Sequence, residues 1–115
     1  MTYQRGDVVL ALFPNSDMTS QKKCPVLIIQ SDQVERGGDQ KLVALITSNL
    51  KRTGVTRVSI DCDSEMGREM GLNMDSVVMT DNLATIKEHL LIRKIGHCSD
   101  MTAIDRALSQ ALGLV

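Results

Sequence analysis

Aromatic residues are almost absent from this chain of 115 residues, which contains one Tyr, one Phe and no Trp. Proteins that bind single-stranded nucleic acid commonly stack the bases on aromatic side chains. The sequence therefore excludes a platform of stacked aromatics, and any nucleic-acid site must depend on hydrogen bonds and charge. The hydrophobic core must be built from Val, Leu, Ile and the seven Met residues.

A large excess of one charge is also missing, since 13 basic and 14 acidic residues give a formal net charge of -1. This balance excludes generic affinity for nucleic acid. The charges are nevertheless unevenly distributed: residues 20–57 include seven basic and three acidic residues, and residues 58–90 include two basic and seven acidic. The asymmetry fits either an anion site on one side of the molecule or ordinary solvated loops.

Long apolar runs and regularly spaced cysteines are lacking as well. No apolar stretch approaches the length of a membrane span, and the first residues do not resemble a signal region. The three cysteines, Cys24, Cys62 and Cys98, do not have zinc-site spacing, and a site combining Cys62, His97 and Cys98 fits no known ligand pattern. We expect a cytoplasmic protein with reduced thiols, no metal or other cofactor, and no membrane association.

The length favours a single domain over residues 1–115. Short apolar and β-branched runs predict a mainly β protein. The strands are predicted over residues 8–13, 26–30 with Pro25 as the start, 41–47, 57–61 and 76–80, with 83–86 pairing nearby. Residues 61–73 are predicted as a loop or short helix, residues 91–97 as a last strand or an irregular segment, and the other connections as loops.

A C-terminal helix is the clearest element in the pattern. Ser99 is a suitable N-cap, Asp100 places negative charge at the positive end of the helix dipole, and Gly113 is a typical end. Apolar residues recur on one helical face at Met101, Ile104, Ala107, Leu108, Ala111 and Leu112. Many short strands followed by one amphipathic helix predict a small barrel that the helix closes or covers.

Polar chemistry is concentrated at the tips of two predicted strands. Lys22 and Lys23 precede the second strand, and Thr47, Ser48 and Asn49 end the third. If the two tips meet, they offer positive charge and hydroxyl donors to a phosphate. The pattern therefore favours RNA chemistry, although the same residues are also typical of a solvated loop pair and an ordinary turn.

The order of several motifs resembles the MazF/PemK family of toxin endoribonucleases across essentially the whole chain. The matching segments are Arg5-Gly6-Asp7-Val8-Val9, Phe13-Pro14, Lys22 to Ile29, Leu45 to Asn49, Asp75 to Asn82, Thr85-Ile86, Lys94-Ile95-Gly96 and the terminal helix. The resemblance implies a small SH3-like barrel of the PemK/CcdB type that forms a homodimer. It also implies a metal-independent mRNA interferase that cleaves single-stranded RNA and is inhibited by a cognate antitoxin whose tail occupies the RNA groove.

The resemblance also implies which residues form the site. In the family, an arginine before the second-strand proline and a threonine at the third-strand tip carry much of the catalysis; here these positions are Cys24 and Thr47. Met79 holds a position where some members have another arginine, and Ala84 holds one where arginine is frequent. We expect Thr47, Lys23 and Asp81 to be catalytic, with Lys23 in place of the missing arginine. We expect RNA contacts from Lys22, Ser48, Asn49, Lys51 and Arg52.

Two rival functions remain open at this level. The substitution at Cys24 is compatible with a catalytically inactive module that retains the antitoxin or RNA groove. The related CcdB-like toxins, which inhibit DNA gyrase, use a C-terminal motif that contains tryptophan. This chain ends in Leu112-Gly113-Leu114-Val115, so the sequence does not favour a gyrase inhibitor.

Overall fold

The structure is a computed structural model that describes residues 3–14, 20–34 and 39–114. The strands are β1 (Asp7–Pro14), β2 (Gln21–Ile28), β3 (Gln40–Thr47), β4 (Arg57–Ile60), β5 (Ser76–Lys87) and β6 (Leu91–His97). The helices are α1 (Glu65–Glu69) and α2 (Thr102–Leu112), and a short 3-10 turn, Glu88–Leu90, precedes β6. The predicted loop residues 15–19 and 35–38 lie outside the described residues.

The six strands form one antiparallel sheet in the order β4-β5-β3-β2-β1-β6. The prediction of a mainly β protein with a C-terminal helix is confirmed. In the described residues β4 and β6 are the two edges and do not pair with each other, so the sheet is not a closed barrel. The long strand β5 holds the sheet together because it pairs with both β3 and β4.

Both faces of the sheet are covered, which explains the near-continuous apolar runs. Val8 and Val9 are adjacent in β1 and completely buried, yet they belong to two different core clusters. The cluster that contains Val8 includes Ile104 and Leu108 of α2. Complete burial of an isoleucine side chain such as Ile104 contributes about 1.5–3 kcal/mol to the free energy of folding. The buried side chains of α2 therefore hold the helix against the sheet.

The start of α2 differs from the prediction. Met101 occupies the N-cap position without a side-chain hydrogen bond, and the helix begins at Thr102. Ser99 is instead bonded to Glu69, whose Oε1 accepts from both its backbone N–H and its hydroxyl at 3.0 Å. Asp100 caps the start of the helix instead, because its Oδ1 accepts a hydrogen bond from the Thr102 N–H at 3.1 Å. Gly113 ends the helix in the left-handed conformation, as predicted.

Strand β2 begins four residues earlier than predicted, so Pro25 lies inside it, paired with Leu10 of β1. Pairing between β2 and β3 starts only at Val26. Before Val26, β2 is therefore an edge on its β3 side, and the missing N–H of Pro25 breaks no ladder there. The start of β2, which carries Lys22 and Lys23, is therefore paired with β1 alone and extends beyond the last β3 pair.

A close backbone contact between α1 and β6 fixes the segment that follows α1. At Gly96 a Cβ atom would lie 2.2 Å from the carbonyl carbon of Met70, and at Gly71 it would lie 2.0 Å from the carbonyl oxygen of Ile95. Gly71 also has a φ of 73°, which disfavours any side chain. These two glycines let residues 71–74 lie directly against the sheet.

Candidate nucleic-acid interface

The ends of β2 and β3 lie at a cavity of about 440 Å³. Residues 71–74 and β6 complete its walls. Its lining residues are Leu10, Lys22, Lys23, Cys24, Pro25, Ile46, Thr47, Ser48, Gly71, Leu72, Asn73, Met74, Ser76, Arg93 and Ile95. The structure thus brings together five of the residues that the sequence selects, from two strands separated by a long connection. We call this the strand-end cavity.

The strand-end cavity is strongly cationic although the whole chain is not. Three basic side chains line it, Lys22, Lys23 and Arg93, and none of its described lining residues is a carboxylate. The chain carries 14 acidic residues in total, so their absence from this surface creates a local positive field. The cavity is therefore suited to an anion of the phosphate type.

Thr47 supplies a positioned hydroxyl at the end of β3. Its Oγ1 accepts a hydrogen bond from the backbone N–H of Asn49 at 3.1 Å, which fixes the oxygen and leaves the hydroxyl proton available. Ser48, the next residue, is exposed on the rim. A third hydroxyl in the lining is already used, because Ser76 donates to the backbone oxygen of Met74 at 2.8 Å. Thr47 is thus the best placed donor of the three.

Cys24 lies in the same cavity as Thr47. The pairing of Val26 with Leu45, continued two residues outward, sets Cys24 opposite Thr47 across the β2–β3 boundary. The thiol is free and half-buried. At this position the chain therefore offers the cavity only a thiol, which is a weak donor.

Asp81 is placed outside the strand-end cavity. Its carboxylate accepts from Arg57 at 2.7 Å and 3.0 Å and from the Thr56 hydroxyl at 3.1 Å. The Arg57 hydrogen bond is the largest influence and holds the pKa of Asp81 below its usual value. The carboxylate is thus engaged by an arginine of β4 and not by a lysine, and it does not reach the residues expected to share its chemistry.

The other expected RNA-binding residues lie in the connection after β3. Asn49, Lys51 and Arg52 are exposed and do not line the cavity. The Asn49 side chain accepts from the Lys51 backbone N–H at 3.1 Å, which makes a local turn. Lys51 and Arg52 therefore lie outside the cavity, in the connection that follows Ser48.

Arg93 is a charged residue of the cavity wall that the sequence pattern does not predict. In β6 it pairs with Leu10 of β1, and Leu10 pairs with Pro25 of β2. The only sequence signal is its alternation with Ile95, which puts both on the same face of a strand. That signal does not say which strand lies beside β6, so it cannot place Arg93 at the ends of β2 and β3.

The two histidines have no place in the cavity. His97 Nδ1 is 2.8 Å from Oδ1 of Asp7, which joins the end of β6 to the start of β1. Burial alone would raise the pKa of Asp7, but hydrogen bonds from Gln4 N–H, His97 and Lys94, with the charge of Lys94, outweigh it and lower that pKa. His97 therefore has a structural contact at the junction of β6 and β1. His89 lies exposed in the 3-10 turn.

The fold and the cavity together define a small antiparallel β protein with a cationic cavity at its strand ends. Residues 4–112 match the family of "PemK-like, MazF-like toxin of type II toxin-antitoxin system". The chain belongs to this family. The resemblance inferred from the motifs is thereby confirmed.

Individual relatives agree with this assignment. The chain is 34% identical over 119 residues to "Endoribonuclease EndoA" of Bacillus subtilis (strain 168), and the match covers 100% of this chain and 98% of the relative. Its fold is similar to that of an endoribonuclease from a mycobacterial species solved with its cognate antitoxin, with a TM-score of 0.75, 22% identity, and coverage of 99% of this chain and 98% of the other.

A second solved structure is more similar in sequence. The Mycobacterium tuberculosis toxin MazF-mt6 has a TM-score of 0.66 and 31% identity, and the match covers 94% of this chain and 93% of the toxin. Neither helix in the described part of the chain is long and apolar enough to span a bilayer.

Proposed function

We propose that this chain is the toxin of a type II toxin–antitoxin pair and cleaves single-stranded RNA without a metal ion. One observation carries the proposal. Thr47 and the position of the family arginine, Cys24, lie in one cavity that three cations line and that contains no carboxylate in its described wall. A phosphodiester carries one negative charge and matches this field. The family membership and the endoribonuclease name of its relative support the reaction type.

The proposed reaction is an internal transesterification. The ribose 2′-oxygen bonds to the adjacent phosphorus and loses its proton, while the bond from phosphorus to the 5′-oxygen breaks and that oxygen gains a proton. The products are a 2′,3′-cyclic phosphate and a 5′-hydroxyl. Negative charge grows on the phosphoryl oxygens in the transition state, so donors aimed at those oxygens accelerate the step.

The lining residues divide this work between them. The Thr47 hydroxyl donates to a phosphoryl oxygen, and the Lys23 ammonium neutralises the developing charge and donates a proton to the leaving oxygen. The described lining contains no imidazole or carboxylate, so the 2′-hydroxyl proton passes to solvent. General acid–base catalysis typically raises a reaction rate by a factor of about 10²–10⁴, and a site without a positioned base gains less than this. We therefore expect cleavage that is weak for this reaction class.

Asp81 is left out of this phosphate site because Arg57 and Thr56 already occupy its carboxylate. We propose that it holds β4 against β5. Lys22 and Ser48 flank the scissile phosphate, and Asn49, Lys51 and Arg52 contact the RNA outside the cavity. The cationic lining also suits an acidic peptide, so we propose that a cognate antitoxin binds over the same cavity. We further propose a cytoplasmic homodimer, as the family resemblance implies.

The test is cleavage of a single-stranded RNA by the purified chain in excess EDTA, with end-group analysis of the products. We expect cleavage to persist and to leave cyclic phosphate ends. The variant Thr47→Val should lower the rate by about a hundredfold or more, the usual effect of losing one such donor. The control is Thr85→Val, since Thr85 is an exposed threonine of β5 outside the cavity.

Two results would contradict the proposal. Loss of cleavage on chelation would show a metal-dependent reaction. A wild-type chain that neither cleaves RNA nor arrests growth on induced expression, while Cys24→Arg does both, would identify an inactive binding module instead. An increase in an already measurable rate on Cys24→Arg fits the proposed enzyme.

A further inference from the structure

Arg93 occupies the wall of the strand-end cavity on the β6 side. Directly paired residues on neighbouring strands project from the same face of a sheet, so Arg93, Leu10 and Pro25 form a row across β6, β1 and β2. Lys23, two residues from Pro25, shares this face by the alternation of the strand. Arg93 and Lys23 therefore line the same cavity from two sides, with backbones separated by two strand spacings, about 10 Å, and by two residues along the strand, about 7 Å.

The guanidinium of Arg93 is also available. Two other arginines are committed to carboxylates, Arg5 to Asp105 at 2.7 Å and Arg57 to Asp81 at 2.7 Å. In the described part of the chain, Arg93 makes no ion pair or side-chain hydrogen bond. An exposed arginine in a cavity whose described lining has no carboxylate lacks an internal counterion. An external anion would supply one.

We infer that Arg93 binds the scissile phosphate and provides the guanidinium that the site lacks at Cys24. This inference rests on the proposed function and adds a residue to its site. An arginine presents two N–H groups to two phosphoryl oxygens at once, whereas Lys23 and Lys22 present point charges. The guanidinium therefore enters the cavity from β6 instead of β2, on the face of the sheet that carries Lys23.

The kinetic test compares Arg93→Gln and Arg93→Lys with wild type under single-turnover conditions. We expect Arg93→Gln to lower the cleavage rate by about a hundredfold, with a smaller change in half-saturating RNA concentration, because the interaction strengthens in the transition state. Arg93→Lys should retain an intermediate rate, since it keeps the charge but not the fork. The control is Arg106→Gln, an exposed arginine of α2 outside the cavity, which should not change the rate.

Rescue tests whether the two positions are equivalent. Adding Cys24→Arg to Arg93→Gln should raise the cleavage rate at least tenfold over that of Arg93→Gln alone, because a guanidinium then enters the cavity from β2. Arg93 is exposed on an edge strand, so its replacement should leave the thermal unfolding midpoint within a degree or two. An unchanged rate in Arg93→Gln, or no rescue by Cys24→Arg in a folded double variant, would overturn the inference.

A binding arm separates this inference from the proposed function. An oligonucleotide made entirely of 2′-deoxy residues lacks the attacking hydroxyl, so its affinity is independent of cleavage. Arg93→Gln should weaken its binding and reduce the slope of log affinity against log salt by about 0.7, the value for one phosphate contact on a single strand. If wild type cleaves nothing, the proposed function fails. Equal binding by wild type and Arg93→Gln would overturn the role of Arg93 alone.

Discussion

Asp7 is the residue whose burial is most costly, and its partners determine how stability depends on pH. The side chain is 4% exposed, with Lys94 at 3.2 Å and His97 at 2.8 Å. The hydrogen bonds to Gln4, His97 and Lys94 outweigh burial and lower the pKa of Asp7. A lowered pKa means that the folded state holds its proton less tightly than the unfolded state. Stability is therefore present above the ordinary value of 3.8 and is lost as pH falls below it.

The variant Asp7→Asn should be less stable than wild type by about 2 kcal/mol at neutral pH, because a charged acceptor of several hydrogen bonds is lost. Urea denaturation at pH 7 and at pH 3 measures the difference, which should shrink at the lower pH because protonation begins to remove the same contribution from wild type. Asp39→Asn is the matched control, since Asp39 is exposed. A difference that stays constant down to pH 3 would contradict this account.

At the residue scale, the sequence predicts which residues lie at strand ends better than it predicts which side chains contact one another. Thr47 and Lys23, each at the end of an apolar run in the sequence, line one cavity, and their catalytic roles stay a prediction. Asp81 was expected beside them, but Arg57 of β4 takes its carboxylate. Arg93 was missed, since its place depends on β6 lying beside β1, a pairing between distant parts of the chain. Side-chain contacts of this kind are decided by strand order, which local pattern does not encode.

At the scale of elements, apolar runs predicted where strands occur but not where they end. Strand β2 extends through Lys22 because pairing with β1 alone is enough to continue it. Residues 76–80 and 83–86 form one strand rather than two. Strand β5 lies between β4 and β3 at residues 77–79 and continues along β3 alone to Lys87, with a register shift between Ala44 and Leu45 of β3. Ser99 lost its expected capping role to Asp100 because Glu69 of α1 binds it. In each case a tertiary partner overrode a local preference.

The contact between α1 and β6 is the element-scale feature that shapes the cavity wall. Gly96→Ala would place a Cβ 2.2 Å from the carbonyl carbon of Met70, which is backbone and cannot rotate away. We expect a loss of about 1–3 kcal/mol in unfolding free energy, as for overpacking in a core. We also expect slower RNA cleavage by the folded fraction, because residues 71–74 line the cavity and must shift.

Gly113→Ala is the control for this prediction. Gly113 also has a positive φ, of 70°, but a Cβ there would meet nothing within 4 Å. Its replacement should cost about 1 kcal/mol or less and leave the cleavage rate unchanged. Urea denaturation and cleavage assays on both variants measure the two effects. If Gly96→Ala and Gly113→Ala behave alike, close packing of α1 on β6 does not position the cavity wall.

For the whole molecule, the relevant feature is a positive cavity on a chain with a net charge of -1. The balance of charges elsewhere suppresses binding of nucleic acid at random, so RNA should be held where Lys22, Lys23 and Arg93 meet. Three such phosphate contacts predict a slope of about -2 for log affinity against log salt, since each contact on a single strand contributes about -0.7.

Replacing one cavity lysine should change that slope by one contact. We expect Lys23→Gln to give a slope of about -1.4 for a non-cleavable single-stranded oligonucleotide, because one fewer counterion is released on binding. Lys87→Gln is the matched control: Lys87 is an exposed lysine of β5 outside the cavity, and its loss removes the same unit of net charge. Fluorescence anisotropy at several salt concentrations gives both slopes. An equal change in the two variants would mean that RNA responds to the total charge of the molecule and not to the strand-end cavity.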